Sequence, residues 1–268
     1  MKVLKTYAFI ICVSFFMTST AFAAQWEYKG STFDVSFMQQ WMEYKEDIDA
    51  PMSTKESGDV PGIRASYSYR WPNEVYFNAM GELASGSTKC EGTAEDGTPV
   101  SSYTGDNITR WSATLGYTTW PISYFTVTPV IGYGQYQWNR QLSGETPYDM
   151  KYSVNYLPVG MLIVFEPTSR FQMDLYGEWR QAINGEIKVS LNDWSGKGSM
   201  NTHYGYRFEL GAMYRLGQLW GISASGFYDY MHLSSSEEFL LGDSGITMSM
   251  PSSATKTIGA TIGLCLTF

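Results

Sequence analysis

The chain closes on TIGATIGLCLTF, Thr257 to Phe268, and the alternation is strict. Ile258, Ala260, Ile262, Leu264, Leu266 and Phe268 fall on one side, and Thr257, Gly259, Thr261, Gly263, Cys265 and Thr267 on the other. A period of two with one apolar face is a β-strand. Such a strand needs either a protein core or hydrocarbon against its apolar side.

The start of the chain narrows the choice. Lys2 and Lys5 precede an apolar run from Ala8 to Met17, followed by the small-residue stretch Thr20-Ala-Phe-Ala-Ala24. This pattern predicts a secretory signal peptide over residues 1–23, cut near Ala23 or Ala24, with residues 24–268 as the mature domain. The run is shorter than the roughly 20 apolar residues a spanning helix needs, and no longer one follows. An exported soluble protein and a membrane β-barrel both fit these facts.

Composition favours the barrel. Aromatic residues make up 16% of the chain (20 Tyr, 14 Phe, 9 Trp), with 26 Gly and only 16% charged residues. A barrel confines its hydrophobicity to alternate positions, so no segment is apolar throughout. Cys12 leaves with the signal peptide, and Cys90 and Cys265 alone do not make a disulfide scaffold. Without Lys2 and Lys5, 16 basic residues stand against 26 acidic ones, a formal charge of −10 that argues against nucleic acid as a partner.

Two kinds of connection alternate along the mature chain. The short ones are Trp71-Pro-Asn-Glu74, Trp120-Pro-Ile-Ser123, Glu166-Pro-Thr-Ser169 and Leu216-Gly-Gln-Leu219, where Pro or Gly fixes a reversal. The long ones, rich in Ser, Gly, Thr, Asp and Glu, are Glu46–Asp59, Ser87–Asn107, Gln141–Asp149, Gly185–Thr202 and Ser235–Ser253. Between them lie ten predicted strands: Thr32–Lys45, Pro61–Arg70, Val75–Gly86, Ile108–Thr119, Tyr124–Arg140, Met150–Phe165, Arg170–Asn184, His203–Arg215, Trp220–Ser234 and Ala254–Phe268. Each reaches the ~9–11 residues with which a tilted strand crosses a bilayer. The expected fold is all-β: a transmembrane antiparallel up-and-down barrel with long extracellular loops and short periplasmic turns. A soluble β-sandwich explains the aromatics less well, because it has no reason to alternate loop lengths so regularly.

Faces follow from the pattern. In the seventh strand Phe171, Met173, Leu175, Gly177 and Trp179 are expected on lipid, with Gln172, Asp174, Tyr176, Glu178 and Arg180 inside. The eighth places Tyr206, Phe208, Leu210, Ala212 and Tyr214 against Arg207, Glu209, Gly211, Met213 and Arg215. The second places Ala65, Tyr67, Tyr69 and Trp71 against Arg64, Ser66, Ser68 and Arg70. Pro129, Gly132, Gly134 and Pro158 predict kinks or bulges. Trp41, Trp71, Trp111, Trp120, Trp138, Trp179 and Trp220 are expected in two interfacial girdles. Phe268 resembles the closing aromatic by which Gram-negative outer-membrane proteins engage the barrel-assembly machinery. Closure of Ala254–Phe268 on Thr32–Lys45 leaves no strand edge unpaired in hydrocarbon.

Val130-Ile-Gly-Tyr-Gly-Gln-Tyr-Gln-Trp138 and Tyr176-Gly-Glu-Trp179 resemble the fifth and seventh strands of the omptins, ten-stranded outer-membrane proteases. The resemblance implies an aspartate pair after the third strand and an Asp-x-His pair after the seventh, which together activate a water. After Trp179 stands Gln181-Ala-Ile-Asn-Gly-Glu-Ile-Lys188, without His, and after the third strand stands Glu95-Asp96, adjacent rather than spaced by one. The chain therefore lacks the recognisable pairs. Its two histidines are His203 and His232, and Asp229 lies three residues before His232, on the opposite face of a strand.

The inward charges Asp34, Glu82, Asp174, Glu178, Glu209 and Asp229, against Arg64, Arg70, Arg110, Arg180, Arg207 and Arg215, predict ion pairs in a narrow lumen. That lumen is either filled by them or narrowed to a selective constriction. The five long loops hold sixteen acidic residues against four Lys, an acidic rim that would attract cationic ligands or divalent ions. Glu46-Asp-Ile-Asp49 lacks the spaced array and Gly of a dedicated Ca²⁺ loop. No residue carries a catalytic, metal or cofactor assignment. The expected role is non-enzymatic, structural or in surface interaction or small-solute permeation. The alternatives are a narrow porin-like channel and a diverged omptin-like peptidase. Expected partners are outer-membrane lipid, the assembly machinery through Phe268, and cations at the rim.

Overall fold

The computed structural model describes residues 30–48, 53–93, 97–122, 124–142, 148–191, 193–200 and 203–268. The predicted signal peptide lies outside them. Fifteen strands form: β1 (Ser31–Glu46), β2 (Ser53–Asp59), β3 (Gly62–Arg70), β4 (Val75–Thr93), β5 (Pro99–Tyr117), β6 (Thr119–Ile122), β7 (Phe125–Leu142), β8 (Tyr148–Thr168), β9 (Phe171–Leu191), β10 (Trp194–Met200), β11 (His203–Arg215), β12 (Trp220–Leu233), β13 (Phe239–Leu240), β14 (Thr247–Met248) and β15 (Ser253–Thr267).

Antiparallel pairing runs β1–β3–β4–β5–β7–β8–β9–β11–β12–β15 and back to β1, a closed ring of ten strands. β2 continues the line of β3, and β10 that of β11, on the far side of short interruptions. The closing seam pairs Phe37 with Ile262 and Trp41 with Ile258. Phe268 exchanges both backbone hydrogen bonds with Ser31, at 2.7 and 3.0 Å. The last strand thus has a partner along both edges, as hydrocarbon requires.

In the lower part of the ring the outer wall is apolar. Phe37, Ile63, Leu83, Leu115, Ile131, Val159, Leu175, Leu210, Ile222 and Ile262 are exposed there, while Arg64, Glu82, Ser112, Thr114, Glu178, Arg207 and Thr261 are buried inside. The faces expected for the second, seventh and eighth strands are as observed. Trp41, Trp111 and Trp179 end the apolar wall on one side, and Trp71, Trp120 and Trp220 on the side of the tight turns. Aromatic rings at both borders of an apolar band mark the two bilayer interfaces.

Above the first border the pattern inverts. The outer wall now carries Gln135, Gln137, Asn139 and Gln141 on β7, Lys151 and Asp149 on β8, and Lys89 and Glu91 on β4. The interior becomes apolar: Tyr44, Trp138, Tyr152, Val154, Ile187 and Leu241 are buried in one cluster. Trp138 stacks on Tyr152, centroids 5.4 Å apart, and meets Tyr44 edge-on at 5.2 Å. This upper part, the head, is a barrel of the soluble kind standing on a barrel of the membrane kind.

The head corrects several expectations. Three of the five long loops are largely strand: β2 lies within Glu46–Asp59, β4 runs to Thr93 and β5 begins at Pro99, and β9 and β10 fill most of Gly185–Thr202; β7 and β8 reach into both ends of Gln141–Asp149. Their polar outward residues read as loop composition, although every second residue packs inward. Trp138 is fully buried in the head and belongs to no girdle. Glu56 and Asp106, counted on the acidic rim, are buried inside. Residues 166–169 are not a turn either: Thr168 still pairs with Phe171, so Ser169-Arg170 makes the reversal. Trp120-Pro-Ile-Ser123 begins as strand β6 before its reversal.

A bulge explains why the seventh-strand pattern fails in the head. Asn155 pairs with Asn184 and Tyr156 with Ala182, so Ile183 is an extra residue on β9. One extra residue exchanges the two faces of everything beyond it. Trp179, Gln181 and Ile183 point outward below the bulge, and Asn184 and Glu186 above it, which turns Ile187 and Val189 inward. The irregularity expected from Gly132, Gly134 and Pro158 is also present, as a gap in the β7–β8 ladder at Gly132 and Tyr133. Pro158 has no N–H for the ladder, and Gly134 leaves space for the Tyr156 ring, which lies 2.5 Å from where a Cβ would stand.

The last connection, between β12 and β15, folds over the head. Phe239 and Leu241 are buried, and the Phe239 ring rests on Gly196 and Gly198 of β10, where a Cβ would come within 2.8 and 2.5 Å of it. Glu237 N donates to Ser199 O at 2.9 Å and Ser236 N to Met250 O at 3.0 Å, so the connection covers the free edge of β10.

Candidate functional site

Inward side chains of β3, β4, β5, β9, β11 and β12 meet at one level of the membrane part to form a charged belt. Arg64 Nε donates to Glu82 at 2.9 Å and Arg64 Nη1 to Glu209 at 2.5 Å. Arg110 reaches Glu82 at 3.1 Å and Asp229 at 2.9 and 3.3 Å. Arg180 bridges Glu178 at 2.6 Å and Asp229 at 2.8 Å, and Arg207 joins Glu82 at 3.1 Å and Glu209 at 2.9 Å. Four guanidinium groups and four carboxylates thus pair with one another across the lumen, with Tyr176 donating to Glu178 at 2.6 Å. Charge-assisted bonds of this kind offset the cost of burying the ions only when nearly all partners are present.

The twelve charges expected inside do lie inside, at two levels. Eight make the belt. Arg70, Arg215, Asp34 and Asp174 stand nearer the tight turns, where Arg215 binds Glu166 at 3.2 Å and Ser169 O at 2.8 Å, and Asp34 accepts from Ser223. Directly above the belt is a void of about 10 Å³, lined among others by Gln40, Arg110, Asp229 and Thr257, with room for one water.

Sequence reasoning missed a second buried network, in the head. Arg140 pairs with Glu56, and its guanidinium lies 4.3 Å from the Tyr44 ring centre and 4.6 Å from that of Trp138. Thr88 donates to Asp106 at 2.7 Å with its Oγ1 also 3.2 Å from a Glu56 oxygen, and Trp138 Nε1 donates to Asp106 at 2.8 Å. Burial pushes the Asp106 carboxyl above the ordinary carboxylate value, against the opposing pull of Thr88, Arg140 and Trp138. The signal available in the sequence was the alternation Tyr136, Trp138, Arg140 against Gln135, Gln137, Asn139 and Gln141.

Among the described residues, the acids and histidines the sequence singled out do not come together as a catalytic constellation. His232 stands on the outer wall, its ring stacked on Tyr204 at 5.0 Å, while Asp229 is inside the belt. His203 opens β11, where its backbone pairs with Leu233. Glu95 and Asp96 lie outside the described residues, as does Asp49 of the Glu46–Asp49 stretch. Gln181 to Lys188 form the bulged part of β9, with Ile187 in the head core.

No protein-family model matches the chain, and no curated protein sequence does. Solved structures match it in shape. The outer membrane protease OmpT from Escherichia coli superposes with a TM-score of 0.73 at 10% identity, covering 93% of this chain and 100% of that one. OprG from Pseudomonas aeruginosa gives a TM-score of 0.44 at 10% identity, over 91% of this chain and 98% of that one. Ail, the attachment invasion locus protein of Yersinia pestis, gives 0.33 at 12% identity, over 90% and 99%. At one shared residue in ten, the likeness to the protease is one of architecture. With its closed ring and apolar outer band, this chain has the fold of a ten-stranded outer-membrane β-barrel.

Proposed function

We propose that this protein is a non-enzymatic barrel of a Gram-negative outer membrane that presents its head at the cell surface for contact with extracellular partners. The observation that carries the reading is the inversion of polarity along the strands. A head with a buried aromatic core and a polar coat is rigid, water-facing and raised above the lipid, which suits display. Two packed levels inside the ring, the belt and the head core, argue against permeation. The separation of His232 from every lumen carboxylate argues against a peptidase. On this reading the N-terminal segment is a cleaved signal, Phe268 is the contact for assembly, and the acidic residues left on the outside of the head attract cations.

Labelling of intact cells tests it. An amine reagent that does not cross membranes is expected to modify Lys151, Lys188 and Lys197 on the outer wall of the head. Modification only after the cells are broken would overturn the display. Discrete conductance steps from the refolded protein in a planar bilayer would overturn the closed lumen.

A further inference from the structure

The outer wall of the head carries a row of like charges. Lys151 on β8 stands opposite Lys188 on β9, and Lys188 opposite Lys197 on β10. Directly opposed side chains have their Cβ atoms about 5 Å apart, and like charges so placed are destabilising. Glu186 relieves Lys197 at 2.9 Å, but Lys151 and Lys188 make no ion pair with any described residue. Lys55 on β2 and Lys89 on β4, by contrast, each hold a carboxylate, Glu43 at 3.0 Å and Glu91 at 2.5 Å.

The rows on either side of the lysines are short and hydroxylated: Ser153 and Ser199 stand beside Glu186, and Ser190 and Ser195 beside Asp149. Three ammonium groups against two carboxylates leave this part of the wall positive. Charge is felt over only ~8 Å at physiological ionic strength, so these neighbours, not the acidic total of the chain, decide what the row attracts. Lower on the same wall a chain of amides runs from Gln135 to Asn155 at 3.1 Å and on to Asn184 at 2.7 Å, with the Trp111 indole donating to Gln135 at 3.2 Å. Outward amide, hydroxyl and ammonium groups supply donors and acceptors for sugar hydroxyls and for acidic substituents on a sugar.

Membrane phosphates lie too far away to be the counter-charge. Lys188 is nine positions beyond Trp179 at the lipid border. At ~3.3 Å per residue and about 40° of tilt it stands about 20 Å above that border, more than two screening lengths. We infer that this wall binds an extracellular acidic polysaccharide with one anionic group per sugar, laid across β8, β9 and β10 with its charges on Lys151 and Lys188. Such a polymer repeats its charge at the ~5 Å spacing of neighbouring strands. The inference rests on the display of the head at the cell surface and names the partner met there.

Equilibrium binding of the refolded protein in detergent to immobilised alginate, a polyuronate, and to uncharged dextran tests it at physiological ionic strength. Alginate is expected to bind saturably and at least ten-fold more tightly than dextran. The double variant Lys151→Gln, Lys188→Gln is expected to lower alginate affinity at least ten-fold. Lys55→Gln with Lys89→Gln, the same change of charge on β2 and β4, should lower it less than two-fold, with the β-sheet circular dichroism of both variants unchanged. Equal binding of the two polymers, no saturable binding of alginate, or equal losses in the two double variants would each overturn the inference. So would displacement of alginate by lipopolysaccharide, which would assign the row to the membrane. No cell enters this measurement, so its failure is distinct from a failure of display, which the labelling of intact cells reads.

Discussion

Arg110 on β5 and Asp229 on β12 grip each other across the lumen, Nη1 to Oδ2 at 2.9 Å and Nη2 to Oδ1 at 3.3 Å. These residues are 119 positions apart in sequence, and their strands are not neighbours in the ring. The bond ties one wall of the barrel to another in a way no strand ladder does. Asp229 also receives Arg180 and lies 3.5 Å from Arg207.

Removing the shared acceptor should therefore be costly. Asp229→Ala strands three guanidinium groups around an uncompensated site, and a loss of about 3–5 kcal/mol is expected. Urea unfolding of the protein in phospholipid vesicles, followed by tryptophan fluorescence, measures it. A midpoint equal to the parent's would mean that the belt adds nothing to stability.

Ile262 sits at the centre of the apolar wall of β15, and its neighbour Thr261 points inside. An arginine in place of Ile262 meets hydrocarbon at a cost of about 2–4 kcal/mol near the midplane. Thr261→Ser, on the lumen face, should unfold close to the parent. Comparing the two under the same vesicle conditions tests the assignment of faces directly.

Trp138 and Trp179 separate the two environments. Trp138→Ala opens a cavity in the head core and is expected to cost about 3–5 kcal/mol. Trp179→Ala removes only a ring at the lipid border and should cost far less in detergent. Thermal melts in detergent give both values, and equal losses would contradict the burial of Trp138.

Ile183 is the hinge between the two patterns on β9. Inserting one further residue beside it cancels the exchange of faces and sends Ile187 and Val189 outward while Glu186 and Lys188 turn in. The membrane ring is expected to survive while the head loses its packing. Trypsin should then cut at Lys151, Lys188 and Lys197, leaving the membrane part of the ring protected. A head as resistant as the parent's would show that the bulge does not set the face.

The membrane part was legible because hydrocarbon enforces one simple rule on every second residue, and TIGATIGLCLTF follows it without exception. The inward arginines and carboxylates could be named for the same reason, since their position follows from parity. Which of them bond to which could not be, because contacts such as Arg64 with Glu209 join strands distant in sequence. The head was hidden by composition: Ser, Gly, Lys and Glu on its outer wall look like loop. The extra residue at Ile183 then breaks the count at the point where the apolar face changes side.

The Phe239 ring lying on Gly196 and Gly198 has a bearing on how the molecule matures. The connection that brings Phe239 lies immediately before the final strand, so the glycine seat is filled and the cylinder closed by consecutive stretches of chain. Cap and closing wall therefore stand or fall together: a chain cut before Ser234 would lack both the final strand and the Phe239 and Leu241 side chains that cover the head.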